Sequence, residues 1–310
     1  MEALLAIGAL FTAIGLAFAG AARRPTVKPS PEGEPDGQPL EGRNPRGFGL
    51  AIRSLNHTRF LPGTDKRYDA QALIDFCQAI GCRWVAIEFA KVRPDGSMQK
   101  YGTTTPKARA VVEQLKAAGI QVGIWGWPDP AGEAKFLAEM DAAIANLRPS
   151  FLKFNPEEPY HGADNDAPFH TFKQRAASAR RIMQHAGKYG LPIIISTYGG
   201  GPKSHPSFPW AAWAEGAAIG QPQWYDTKHK WTDASPRKFY EGWAPLFPRI
   251  DPIIGGSNAH TPEDMEREAN EQLGWLRPQA YAIWDFYWLA IAPARAAAAG
   301  EIAALYGQPD

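Results

Sequence analysis

Two adjacent glutamates, Glu157 and Glu158, stand between Pro156 and Pro159 at the end of the apolar run FLKFNPEEPY, residues 151–160. Two more acids lie in apolar runs: Glu88 in RWVAIEFAKV and Asp285 in AYAIWDFYWL. Carboxyl groups converging on one site can cleave a glycosidic bond. One must stay protonated to donate to the leaving oxygen, and another must stay charged to stabilise an oxocarbenium ion or a cyclised intermediate. Proximity itself drives two such pKa values apart. A Glu-Glu pair alone is most often a solvated loop tip. These acids gain meaning only from the elements that place them.

From Gly47 onward, apolar runs of strand length alternate with amphipathic helical patterns. The predicted strands are GFGLAIRS, RWVAIEFAKV, IQVGIWGW, SFLKFNPEE, LPIIISTYGG, AIGQPQWYD, RIDPIIGGSN and AYAIWDFYWL. Helices are predicted over about residues 67–81, 105–118, 131–147, 167–189, 208–217, 235–246, 261–276 and 293–306. Thr105-Pro106, Ser235-Pro236 and Thr261-Pro262 each place a hydroxyl at the N-cap and proline at the first helical position. Eight βα units over about 260 residues predict an α/β fold, a (β/α)8 TIM barrel spanning 47–310. The competing doubly wound sheet would carry a Gly-rich phosphate turn after its first strand, and RSLNHTRFLPG has no G-x-G-x-x-G.

In such a barrel the site sits at the C-terminal ends of the strands, and strand alternation decides which side chains face the lumen. Lys153, Asn155 and Glu157 share the inward parity of the fourth strand, whereas Glu158 has the opposite parity and is expected at the rim. Glu88 faces inward on the second strand. The third ends in Trp125 and Trp127. The fifth offers Ser196 and Tyr198, the sixth Gln221, Gln223 and Tyr225, and the seventh Asn258. On the eighth, Asp285 is expected inward together with Tyr281 and Tyr287. Glu157, Asp285 and Glu88 are therefore the catalytic candidates. Asn155, Glu158, Lys153, Trp125, Trp127, Tyr198, Gln223, Tyr225 and Asn258 would contact substrate, the rings by stacking on apolar sugar faces. Plainer roles exist for some of them: an ion pair between Glu88 and Lys153, a pair between Asp285 and Arg53, and a core position for the two tryptophans.

Composition closes off other classes. The net charge is +1 over 310 residues, which gives no electrostatic case for nucleic acid. No pair among His57, His161, His170, His205, His229 and His260 has helical ligand spacing, and Cys77 and Cys82 make no zinc pattern, so neither metal nor cofactor is expected. The two thiols are expected free. No G-x-S-x-G is present for a serine hydrolase.

The N-terminus reads differently from the rest. Residues 3–22, ALLAIGALFTAIGLAFAGAA, carry no charge, and at 1.5 Å per residue such a helix spans roughly 30 Å of bilayer. Residues 1–24 are read as a transmembrane signal-anchor, or as a signal peptide cleaved near Ala17-Phe18-Ala19. The Pro-, Gly- and charge-rich stretch 25–46 is read as a disordered tether. Arg23 and Arg24 alone would keep the following domain cytoplasmic; a wall-acting enzyme requires the extracytoplasmic side. A virion membrane or secretion are the other placements.

The order of parts over about residues 47–290 resembles glycoside hydrolase family 25, the lysozyme-like muramidases, and related glycoside hydrolase-like barrels. That family ends its fourth strand on D-x-E with the glutamate as general acid, which implies that role for Glu157 in Asn155-Pro156-Glu157. IISTYGGG is similar to its fifth strand, and QPQWYD and YAIWDFYW to its later aromatic strands. The family's first-strand aspartate has no counterpart in GFGLAIRS, and Asn155 replaces a carboxylate. Asp285 or Glu88 would then have to supply the missing charge. The expectation is a membrane-tethered glycosidase acting on cell-wall polysaccharide, peptidoglycan above all, as in a phage or prophage lysis protein. The alternatives are an inactive barrel used as a glycan-binding or structural module, and a hydrolase of another exported polysaccharide.

Overall fold

Strands flanked by helices on one side and a closed lumen on the other are buried on both faces, so they read as near-continuous apolar runs. All six residues of β1 (Gly47–Ile52) are buried in this way. The computed structural model describes residues 42–157, 160, 171–224, 234–255 and 259–306. The expected anchor at 3–22 and most of the tether lie outside them, as do Glu158, Tyr225 and Asn258. Among the described residues no helix is long and apolar enough to cross a membrane.

The remaining barrel strands are β2 (Trp84–Val92), β3 (Gln121–Trp127), β4 (Leu152–Phe154), β5 (Ile193–Tyr198), β6 (Ile219–Gln223), β7 (Ile253–Gly255) and β8 (Ala280–Trp284). Each pairs in parallel with the next, and β1 pairs with both β2 and β8, which closes the ring. The helices are α1 (Ala70–Ala79), α2 (Pro106–Ala117), α3 (Glu133–Leu147), α4 (Phe172–Gly187), α5 (Gly201–Ser204), α6 (Trp210–Ala214), α7 (Ala234–Trp243), α8 (Pro262–Leu276), α9 (Phe286–Ala290) and α10 (Pro293–Tyr306). Thr105 caps α2 through the Ala108 amide, and Thr261 with Asp264 forms a full capping box on α8. Thr171 with Gln174 forms a second box on α4. The helix expected over 208–217 is shorter, Trp210–Ala214, because Pro209 precedes it and Gly216 turns the chain at φ 78°. Cys77 and Cys82 are free and buried.

Strand alternation sorts the core into two layers. Ala51, Trp84, Ala86, Trp125, Phe151, Ile194, Ile219, Ile253, Ala280 and Ala282 fill the lumen. Leu50, Ile87, Phe89, Leu152, Phe154, Ile195 and Ile283 pack outward under the helices. Tyr281 belongs to this outer layer, where it stacks on Phe48 with ring centroids 5.4 Å apart. The expectation that Tyr281 faces the lumen is therefore corrected: Ala280, Ala282 and Trp284 hold the inward parity of β8.

The second strand departs from simple alternation. Its register against β3 slips between Glu88 and Ala90, so that Ala90 pairs with Gly126 and Lys91 with Trp127. The bulge re-aims the strand end, as bulges do. Lys91 then points to the mouth, where unbroken alternation would place Ala90. Beyond it the chain turns at Pro94-Asp95-Gly96, with Gly96 at φ 73°, and returns as a short antiparallel strand, Met98–Lys100.

The lumen is plugged by large rings that need missing side chains opposite them. A Cβ on Gly49 would sit 2.0 Å from the Trp84 ring, and one on Gly123 would sit 2.2 Å from Phe151. Trp84 and Phe151 meet edge to face at 5.6 Å. Overpacking such a layer costs about 3 kcal/mol. Gly49→Ala is therefore expected to destabilise the fold by that amount in urea unfolding, with the far-UV spectrum of the remaining native protein unchanged.

Candidate active site

Polar side chains enter the lumen above the apolar plug, on successive levels of the β4–β5–β6 ladder. Lys153 pairs with Ile194, Ser196 with Gln221, and Tyr198 with Gln223. Two residues further along β4 than Lys153 is Asn155, and two further is Glu157. The Gln223 amide donates to Asn155 Oδ1 at 2.7 Å and to Glu157 Oε1 at 2.8 Å. Both of its protons are thereby spent on the end of β4, and Glu157 is fixed in direction.

The backbone around Pro156 is pinned as well. The Asn155 amide donates to Gly126 O at 2.9 Å, Thr197 Oγ1 donates to Pro156 O at 2.5 Å, and the Tyr160 amide donates to Glu157 O at 2.9 Å. Residues 155–157 are thus held where the chain leaves the strand. Glu157 keeps part of its surface open to solvent, whereas Asn155 is buried.

Lys153 lies one level deeper, 1% exposed, and its Nζ has no hydrogen-bond partner. Burial pushes its pKa down to about 7, against the pull of the Glu157 charge. No ion pair joins it to Glu88.

Glu88 and Asp285 form a separate buried cluster on the β1, β2 and β8 side. Asp285 follows Trp284 across a cis peptide bond, caps α9 through the Trp288 amide at 3.4 Å, and pairs with Arg53 Nε at 3.0 Å. Burial raises its pKa, and Arg53 opposes that. Glu88 is 1% exposed, and no hydrogen bond reaches either carboxyl oxygen. Burial pushes its pKa up to about 8. Arg53, the nearby Tyr101 hydroxyl and Lys91 hold it back in part, and the charge of Asp285 adds to the rise. At neutral pH Glu88 is thus held largely protonated, beside the Asp285–Arg53 pair. One arginine cannot compensate two buried carboxylates.

Two tryptophans line the mouth above a third. Trp125 is completely buried, donates from Nε1 to Ile52 O at 3.2 Å, and lies beneath Trp127 and Trp284 at 5.8 and 5.3 Å. It supports the platform and is not part of its surface. Trp127 and Trp284 remain partly exposed. Lys91 lies 4.5 Å over the Trp127 ring and Arg53 lies 5.2 Å over Trp284, both cation–π contacts. Tyr198 packs against His205 at 4.7 Å.

The structure thus groups Glu157, Asn155, Lys153, Gln223 and Tyr198, and sets Glu88 and Asp285 apart with Arg53. Lys91, Tyr101 and Trp284 were not foreseen. The Pro-Asp-Gly turn after Lys91 is a readable hairpin signal that would have brought Tyr101 back to the mouth. Among the described residues no group of three or more His, Cys, Asp or Glu is arranged to hold a metal.

No family model and no curated protein matches this sequence. Solved structures do match it in fold. The group IV chitinase of Ostrinia furnacalis is 8% identical with a TM-score of 0.56, over 84% of this chain and 100% of that one. The spore cortex-lytic enzyme SleL of Bacillus megaterium QM B1551 is 10% identical with a TM-score of 0.52, over 80% and 74%. A class V chitinase from Pseudomonas fluorescens Pf-5 is 8% identical with a TM-score of 0.51, over 80% and 98%. The barrel is of the kind found in these glycoside hydrolases. At such identities the likeness is one of fold, and it does not favour family 25 in particular.

Glu88 ionises at about 8 in the fold against 4.5 for the ordinary group. The folded state holds the proton between those values, so the contribution of Glu88 to stability declines as pH rises through that window. Glu88→Gln, neutral and of the same shape, is expected to raise Tm at pH 8 by roughly 5 °C. At pH 5 the difference should nearly vanish in paired thermal melts.

Proposed function

We propose that this chain is a glycoside hydrolase of 2-acetamido polysaccharides, with Glu157 as the proton donor. The observation that carries the reading is accessibility. Of the three carboxyl groups Glu88, Glu157 and Asp285, only Glu157 is open to solvent, and the Gln223 amide aims it from the strand end. It occupies the place that the D-x-E resemblance gives to the general acid.

Glu157 would give its proton to the bridging oxygen as the bond from that oxygen to the anomeric carbon breaks. With Glu88 and Asp285 buried, the opposing charge is best supplied by the substrate. The carbonyl oxygen of a 2-acetamido group would close on the anomeric carbon, the assisted route known among glycosidases. Water would then add at that carbon and return a proton to Glu157. Gln223, held by Asn155, and Tyr198 stand where they would orient the acetamido group, and Trp127 and Trp284 would stack on sugar rings. The names of the fold neighbours, chitinases and a spore cortex-lytic enzyme, support glycans of this composition. Peptidoglycan is the favoured substrate, because an anchor at 3–22 and a tether at 25–46 would hold a barrel beside a wall, on the extracytoplasmic side.

One observation favours a glycan-binding module without turnover. A positive charge on Lys153, beneath Glu157, stabilises the ionised carboxylate and opposes proton donation. Its depressed pKa removes much of that charge as pH rises above 7.

The purified full chain is expected to release soluble fragments from labelled peptidoglycan. Glu157→Gln should lower that rate by about 100-fold or more while pull-down on the same polymer persists. A variant as fast as the parent would overturn the role of Glu157. A parent that binds and never cleaves would establish the binding module.

A further inference from the structure

A cavity of about 410 Å³ opens beside the mouth, between the segment after β1 and the hairpin after β2. Its size is that of a small-ligand site. Arg59, Arg67 and Lys100 line it, with His57, Tyr68 and Tyr101, and no carboxylate among the described residues does. Lys100 is paired with Glu139. Arg59 and Arg67 have no acidic partner among the described residues; Arg59 rests on the Phe60 ring at 4.6 Å. His57 registers the resulting field. Burial lowers its pKa first, and Arg53 and Arg59 lower it further. Its Nδ1 is buried without a hydrogen-bond partner.

The wall is built. Tyr68 sits at φ 58°, a left-handed conformation costly for an aromatic residue. That conformation brings its hydroxyl to 2.8 Å from where a Cβ on Gly102 would lie, and Gly102 is itself at φ 75°. The contact joins the two segments that form the cavity. Tyr101, whose hydroxyl lies near Glu88, connects the cavity to the barrel mouth.

We propose that this pocket binds an anionic substituent of the polysaccharide, a carboxylate or an ester-linked phosphate or sulfate, and that Arg59 and Arg67 select acidic glycans. A guanidinium fork meets such oxyanions with paired, charge-assisted hydrogen bonds. The choice of a glycan as carrier rests on the hydrolase reading; the charge logic does not.

The test is calorimetric binding to the full chain carrying Glu157→Gln, so that no probe is consumed. The probes are an N-acetylglucosamine tetramer, a tetrasaccharide alternating a 2-acetamido sugar with a uronic acid, and inorganic phosphate. The uronic acid probe is expected to bind about tenfold tighter than the neutral one at low salt, with the difference falling in 0.5 M salt. Adding Arg59→Gln and Arg67→Gln, both at exposed positions, should abolish the preference and leave neutral binding within about twofold. A preference that survives the double change, or none in its presence or absence, overturns the pocket. Phosphate binding as tightly as the acidic tetrasaccharide overturns the glycan as carrier. If Arg59 and Arg67 confer the preference while the parent chain cleaves no glycan, the pocket stands and only the hydrolase reading falls.

Discussion

The closed ring of eight strands is the constraint on which the site depends. Closure gives every strand an inward and an outward set of side chains, and the inward set must fill a lumen narrow enough to require glycine opposite Trp84 and Phe151. Above that plug only the last one or two inward residues of each strand reach the mouth. Gln223 can hold Asn155 and Glu157 together because β4, β5 and β6 are paired in unbroken parallel register. A one-residue slip anywhere in that ladder would turn the amide toward the helices.

The same enclosure decides the electrostatics. Water is excluded from Glu88, Asp285 and Lys153, so each shifts toward its neutral form. Arg53 pairs with Asp285 and opposes the rise of its pKa, whereas Glu88 is pushed up to about 8. The groups divide by access. Those that hold the mouth in shape are buried; Glu157, Gln223, Tyr198, Trp127 and Trp284 keep exposed surface. The three catalytic candidates therefore stand in two groups, Glu157 apart from Glu88 and Asp285.

Much of this was readable from residue order. Alternation with period two correctly turned Glu88, Lys153, Asn155 and Gln223 inward, and hydroxyl-proline pairs marked the starts of α2 and α8. The Arg53–Asp285 pair was available as a plain alternative for Asp285. The misreadings share one physical cause: local irregularity breaks the period. The bulge in β2 lets Lys91 face the mouth, and nothing in EFAKV announces an extra residue. Tyr281 looked inward by counting back from Asp285, but Trp284 holds the inward position. Trp125 and Trp127 share one parity, and depth separates a buried support from a surface platform. Sequence spacing does not carry depth. The cationic cavity was invisible for a related reason: Arg59 and Arg67 lie in the segment between β1 and α1, and their partner wall, Tyr101 and Lys100, comes from a hairpin over thirty positions away.

The proposed hydrolysis pairs Glu157 with the substrate's own acetamido group instead of a second carboxylate. The anomeric configuration of the first product formed tests this most directly, followed by proton NMR during the opening minutes of hydrolysis of a β-linked 2-acetamido oligosaccharide. Assistance by the acetamido group requires two displacements at the anomeric carbon, so initial release of the β-anomer, configuration retained, is expected. Initial release of the α-anomer would contradict it, because inversion demands a second carboxylate that activates water across the ring.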